Sequence, residues 1–149
     1  MAGLTTTAFS QLLPKCNNWM TKGSYGVSCT GSIVPGPNAA PIPFAMLGVL
    51  TSNGNGHWEG HTTANIGGAL IPQFVTTTGG ADAVVNPDCS GTITYQQYSA
   101  NPSFDPNAIP FGPLPIVFNV VDNGNEINGL PMGPGSVMTC RLVRTRPID

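Results

Sequence analysis

The sequence predicts an all-β chain folded as an antiparallel up-and-down β-barrel of eight or nine strands, preceded by a short helical segment. Three turn motifs carry that prediction. Ser52-Asn53-Gly54-Asn55-Gly56 separates the apolar run 45–51 from 57–66, and Asp122-Asn123-Gly124-Asn125-Glu126 separates 116–121 from 127–130. Asn-Gly between apolar runs signals a hairpin because both residues accept positive φ. The third motif, Asn86-Pro87-Asp88-Cys89-Ser90-Gly91, lies between β-branched flanks; Pro87 pre-sets φ for a turn, and Asn86, as the residue before proline, is pushed toward an extended conformation.

In chain order, residues 5–22 are the one stretch with a helical pattern: Phe9, Leu12 and Leu13 share a face and Pro14 stops the run. Residues 1–22 are therefore an N-terminal extension and 23–146 the barrel, within a single domain spanning 1–149. Gly23–Gly31 alternates as a first strand. Residues 35–43, with Pro35, Pro37, Pro41 and Pro43, lack the backbone donors of an inner strand and read as a loop. Strands follow at 45–52, 57–67, 69–78, where Pro72 demotes the beginning to an edge or bulge, 83–86 and 92–99. The segment 100–113 is rich in proline yet carries Phe104, Ile109 and Phe111, so it must cover something, either the mouth of a cavity or a subunit contact. Strands at 114–121, 126–132 and 136–144 complete the set. Short connections in sequence order describe an up-and-down barrel, with a two-sheet sandwich as the competing arrangement.

Composition narrows the function classes. Only 8% of the 149 residues are charged, against roughly 25% in an average soluble domain, so large partner surfaces are easily hidden and a homo-oligomer is expected. The net charge of −2 and the absence of a basic stripe argue against nucleic acid. Arg141, Arg144 and Arg146 read as a solvated strand edge, where charge discourages unwanted pairing. No apolar run reaches the roughly 20 residues of a membrane-spanning helix, and no membrane partner is expected. The first residues lack an export signal, which places the chain as written in the cytoplasm; the alternative is a secreted, mature form. Cys16, Cys29, Cys89 and Cys140 allow two disulfides in three pairings or four buried thiols, and their spacing is not that of a zinc site.

Gly23-Ser24-Tyr25-Gly26, the run Val85-Asn86-Pro87-Asp88-Cys89-Ser90-Gly91-Thr92 and Val121-Asp122-Asn123-Gly124 together resemble small bacterial and fungal proteins with lipocalin-like (calycin), or allene-oxide-cyclase-like, β-barrels. The resemblance spans about residues 16–146 and rests mostly on turns, so it bears on fold more than on chemistry. Many such proteins are exported without an assigned activity. Others are cofactor-independent cyclases that fold a flexible polyene or polyketide in the lumen, so the resemblance implies either a catalyst or a carrier.

Candidate chemistry begins at His57-Trp58-Glu59-Gly60-His61. Strand parity puts His57, Glu59 and His61 on one face, which could hold a metal, but no further ligand is in view and no metal site is assigned. The row Trp58, Gly60, Thr62, Ala64, Ile66 is the more apolar and should face inward. Tyr95, Arg141 and His61 are the candidate catalytic donors, able to polarise a substrate carbonyl or move a proton. Tyr25, Trp58, Phe118, Asn119 and Met138 are the candidate ligand-binding residues. Asp88 and Asp122 are turn residues. With no phosphate-cradling or dinucleotide motif, no cofactor is expected. The sequence thus favours a cofactor-independent cyclase or isomerase of natural-product biosynthesis, acting on a small hydrophobic, polyketide- or terpenoid-like substrate held in the lumen largely by positioning. The alternative is a secreted lipocalin-like protein that binds such a molecule without chemistry.

Overall fold

The computed structural model describes residues 15–77, 83–99 and 113–145. Nine antiparallel strands follow in chain order: β1 (Gly23–Ile33), β2 (Ile42–Ser52), β3 (Trp58–Ile66), β4 (Ala69–Thr77), β5 (Val84–Val85), β6 (Ser90–Ser99), β7 (Leu114–Val121), β8 (Glu126–Pro131) and β9 (Ser136–Arg144). Consecutive strands pair except β4 and β5, β1 pairs with β9, and β4 pairs with β6. Eight strands thus close a barrel. The ninth, β5, pairs with the first half of β6 where β4 has ended.

Side-chain alternation decides what the barrel encloses. Along β3, Trp58, Thr62 and Ala64 are buried while Glu59, His61, Thr63 and Asn65 are exposed, so the apolar row faces inward. Two expectations about proline change. Pro43 lies inside β2, opposite Ser32, rather than in the preceding loop; its side chain is exposed and it is only the second residue of the strand, where a missing N–H is tolerated. Pro72 pairs with Thr63, and the β4–β6 ladder begins only at Gln73, so its other side is edge-like.

The turns form as their residues demand. In the Asn86–Ser90 turn the Cys89 amide donates to the Asn86 carbonyl (2.9 Å) and the Asn86 amide to the Ser90 carbonyl (2.8 Å), with Cys89 in the left-handed region at φ 69°. Asp88 accepts from the Ser90 hydroxyl (2.6 Å) and amide (2.9 Å), bonds that hold its carboxyl below the usual range. Asp122, Asn123 and Gly124 are consecutively left-handed, with φ of 49°, 52° and 84°.

One end of the barrel is closed by a 3₁₀ turn, Asn18–Thr21. The part of the expected helix at residues 5–14 lies outside the described residues, as does the proposed lid over 100–112. The turn is fixed by Cys16–Cys89, by the Val85 amide donating to Asn18 Oδ1 (2.7 Å), and by Arg144, whose Nη2 donates to the Met20 carbonyl (2.7 Å). Arg144 Nη2 also donates to Tyr25 Oη (2.8 Å) and the Gly124 carbonyl (2.9 Å), and the Tyr25 hydroxyl donates to that same carbonyl (2.7 Å). This corrects the reading of Arg144 as a solvated edge charge: β9 is paired on both sides, and Arg144 continues the inward row of Cys140 and Leu142. Arg141, one parity step away, is exposed; Arg146 lies outside the described residues. The second disulfide, Cys29–Cys140, joins directly opposed residues of the first and last strands.

Candidate functional site

In the lumen, side chains from most strands converge on unfilled space. β3 contributes Trp58 and Thr62, β6 Ile93 and Tyr95, β7 Ile116 and Phe118, and β9 Met138, and the Cys29–Cys140 disulfide forms part of the wall. An eight-stranded barrel is just wide enough for its side chains or one small ligand. Here the side chains take most of the room and leave a cavity of about 60 Å³. Phe44, Met46, Phe118 and Met138 are only half-buried, and unbranched methionines reshape readily.

No charged side chain is among the described residues lining this cavity. Its few polar groups are poorly satisfied. Trp58 Nε1 and Thr62 Oγ1 are buried without a hydrogen-bond partner. The Tyr95 side chain also lines the cavity, and burial pushes its pKa well above the ordinary phenol value, so it remains protonated at any physiological pH. A buried donor without a partner costs roughly 1–3 kcal/mol, so the Trp58 and Thr62 groups stand out in an otherwise well-bonded barrel.

The sequence-predicted residues divide. Tyr95, Trp58, Phe118 and Met138 line the cavity. Tyr25 is fully buried but belongs to the closed end, its ring 5.2 Å from that of Trp58 and its hydroxyl held by Arg144 and Gly124; burial raises its pKa despite the opposing guanidinium. Arg141, His61 and Asn119 are corrected: strand parity turns all three outward. Arg141 donates to Glu126 Oε2 (2.6 Å), which raises its own pKa and lowers that of Glu126. Asn119 and Arg141 border an open groove on the outer face of β7, β8, β9 and β1. His61 packs on Phe74, ring centroids 5.3 Å apart.

The three-residue row on β3 does not gather into a metal site. His57 bonds through Nδ1 to the Thr77 hydroxyl (2.9 Å) and through Nε2 to Glu59 (3.4 Å), while His61 turns to Phe74. Among the described residues no three potential ligands meet. Sequence reasoning placed Thr62 on the inward row without singling it out, and missed Arg144 as an inward, half-buried residue. Parity would have found Arg144, which follows Cys140 by four positions.

No protein-family model matches the chain, and no curated protein matches it significantly.

Proposed function

We propose that the protein is an exported, disulfide-bonded β-barrel that binds a small apolar molecule in its lumen without transforming it. The observation that carries this reading is the lining: apolar side chains from nearly every strand around a cavity that holds no charged group among the described residues. Two disulfides support an oxidising compartment, where such bonds persist. A lipocalin-like relationship is consistent with the barrel and remains part of the proposal. The cyclase reading is weaker here, because Arg141 and His61 face outward and leave only Tyr95 as a lumen donor. A cavity of about 60 Å³ is also far below the roughly 300–1,000 Å³ of pockets that enclose drug-sized molecules, so the ligand is slender or enters by one end.

Trp19→Phe leaves Trp58 as the sole tryptophan, buried and in the lumen wall. Titration of that variant with n-hexane should change its emission saturably. Ile116→Phe, which fills the cavity, should suppress the change. A flat, unsaturable response in the open-lumen protein overturns the proposal.

A further inference from the structure

We infer that the lumen selects a ligand with a neutral hydrogen-bond acceptor, a ketone, aldehyde or ester carbonyl, over both a pure hydrocarbon and a carboxylate. The inference rests on the binding reading above and specifies its ligand class.

Trp58 decides the polarity of the ligand. An indole N–H can only donate, so whatever completes it must bring an acceptor. Trp58 is 2% exposed and its Nε1 has no partner, although the surrounding strands satisfy their backbone groups in continuous ladders. Thr62, on the same face of β3 and 3% exposed, adds an unpartnered hydroxyl. Tyr95, buried and therefore kept protonated, adds a phenol hydroxyl to the same wall. All three side chains line one cavity. The strand register keeps two of them at one level: Thr77 pairs with Tyr95 on one side and accepts the Trp58 amide on the other (3.2 Å).

The charge of the ligand follows from what is missing beside these donors. A carboxylate moved out of water needs a cation or several strong donors, and an unpaired one is strongly disfavoured. Arg144, Arg141 and Lys22 are committed elsewhere. Arg144 is held by Met20, Tyr25 and Gly124 at the closed end, Arg141 by Glu126 outside, and Lys22 lies over the exposed Trp19 ring at 4.3 Å. A neutral carbonyl meets the donors without that penalty. An alkane fills space but leaves the indole N–H unpaired.

The test compares three ligands of equal chain length on the disulfide-intact protein: n-hexane, methyl butyl ketone and hexanoate at neutral pH. With each affinity referred to that ligand's own transfer from water to alkane, the ketone should bind about tenfold more tightly than hexane, as one recovered hydrogen bond requires, and it should bind at least tenfold more tightly than hexanoate, whose charge would be buried unpaired. In a ¹⁵N–¹H spectrum the Trp58 indole resonance, assigned by its persistence in Trp19→Phe, should move downfield with the ketone and not with hexane. Equal binding of hexane and ketone leaves the lumen as a binding site but overturns the selectivity. An unmoved indole resonance on ketone binding overturns the assignment to Trp58. Hexanoate binding as tightly as the ketone overturns the preference for a neutral head. If none of the three binds, it is the lumen-binding reading itself that fails.

Discussion

Tyr25→Phe isolates the contribution of the closed end. The phenol is fully buried and its hydroxyl is both donor to the Gly124 carbonyl at 2.7 Å and acceptor from Arg144 Nη2 at 2.8 Å. A neutral bond contributes about 1 kcal/mol and one to a charged group about 1.5–3 kcal/mol. The substitution strands nothing, because Arg144 keeps the Met20 and Gly124 carbonyls and Gly124 keeps Arg144. The expected loss is therefore about 2.5–3 kcal/mol, the lower part of the combined range. In a domain of this size that corresponds to a Tm lower by roughly 4–10 °C. Urea unfolding followed by Trp58 emission in the Trp19→Phe background reads the change, with the disulfides intact. Arg144→Met and the double variant complete a thermodynamic cycle, in which a coupling of about 1–2 kcal/mol is expected between groups in direct contact. A Tyr25→Phe loss below about 0.5 kcal/mol, or a coupling near zero, would refute the idea that this pair locks the barrel end.

Alkali should destabilise the fold earlier than a barrel without buried phenols. Tyr25 and Tyr95 both have pKa values raised above the ordinary 10.0, so the unfolded chain releases its protons first. Their contribution is complete below about pH 10 and is lost as pH rises toward the folded values. Tyr95→Phe should flatten the fall in urea midpoint across that window more than Tyr25→Phe, since burial acts on Tyr95 unopposed; an unchanged slope contradicts this. Thiol counts should be zero in denatured, unreduced protein and four after reduction. Under mild reduction of the native fold, Cys16–Cys89 should open before Cys29–Cys140, because Cys89 is half-buried whereas Cys29 and Cys140 are 2% and 7% exposed; mapping of alkylated cysteines checks the order, and the reverse order refutes it. Replacing either pair by serine should cost about 2–4 kcal/mol, given the long loops they close.

The strands were legible because their punctuation is local. Gly54, Asn123 and Gly124 take positive φ in the two Asn-Gly turns, and the Asn86–Gly91 turn is built from its own side chains. What sits inside was legible only where parity was followed through. The apolar row of β3 identified the lumen face, yet the same rule applied to β9 separates Arg141, outside, from Arg144, inside, and a cluster of three arginines hid that difference. The disulfide pairing was not legible at all. Cys29 and Cys140 are 111 positions apart and meet only because the last strand closes against the first.

The two ends of the interior differ in a way that bears on function. At the closed end the Tyr25 hydroxyl, Arg144 Nε and Nη2 and the Met20 and Gly124 carbonyls all have partners, and the left-handed Gly124 leaves no room for a side chain between Met20 and Arg144. Selection for stability alone would satisfy buried donors in the lumen too, or replace them by apolar residues of similar shape, a change that is often neutral or favourable. Phenylalanine at 58 and valine at 62 would do so. The retention of an indole N–H and a hydroxyl without partners, in the same wall as a protonated phenol, is a cost that folding does not recover, and local departures of this kind concentrate where a protein binds something.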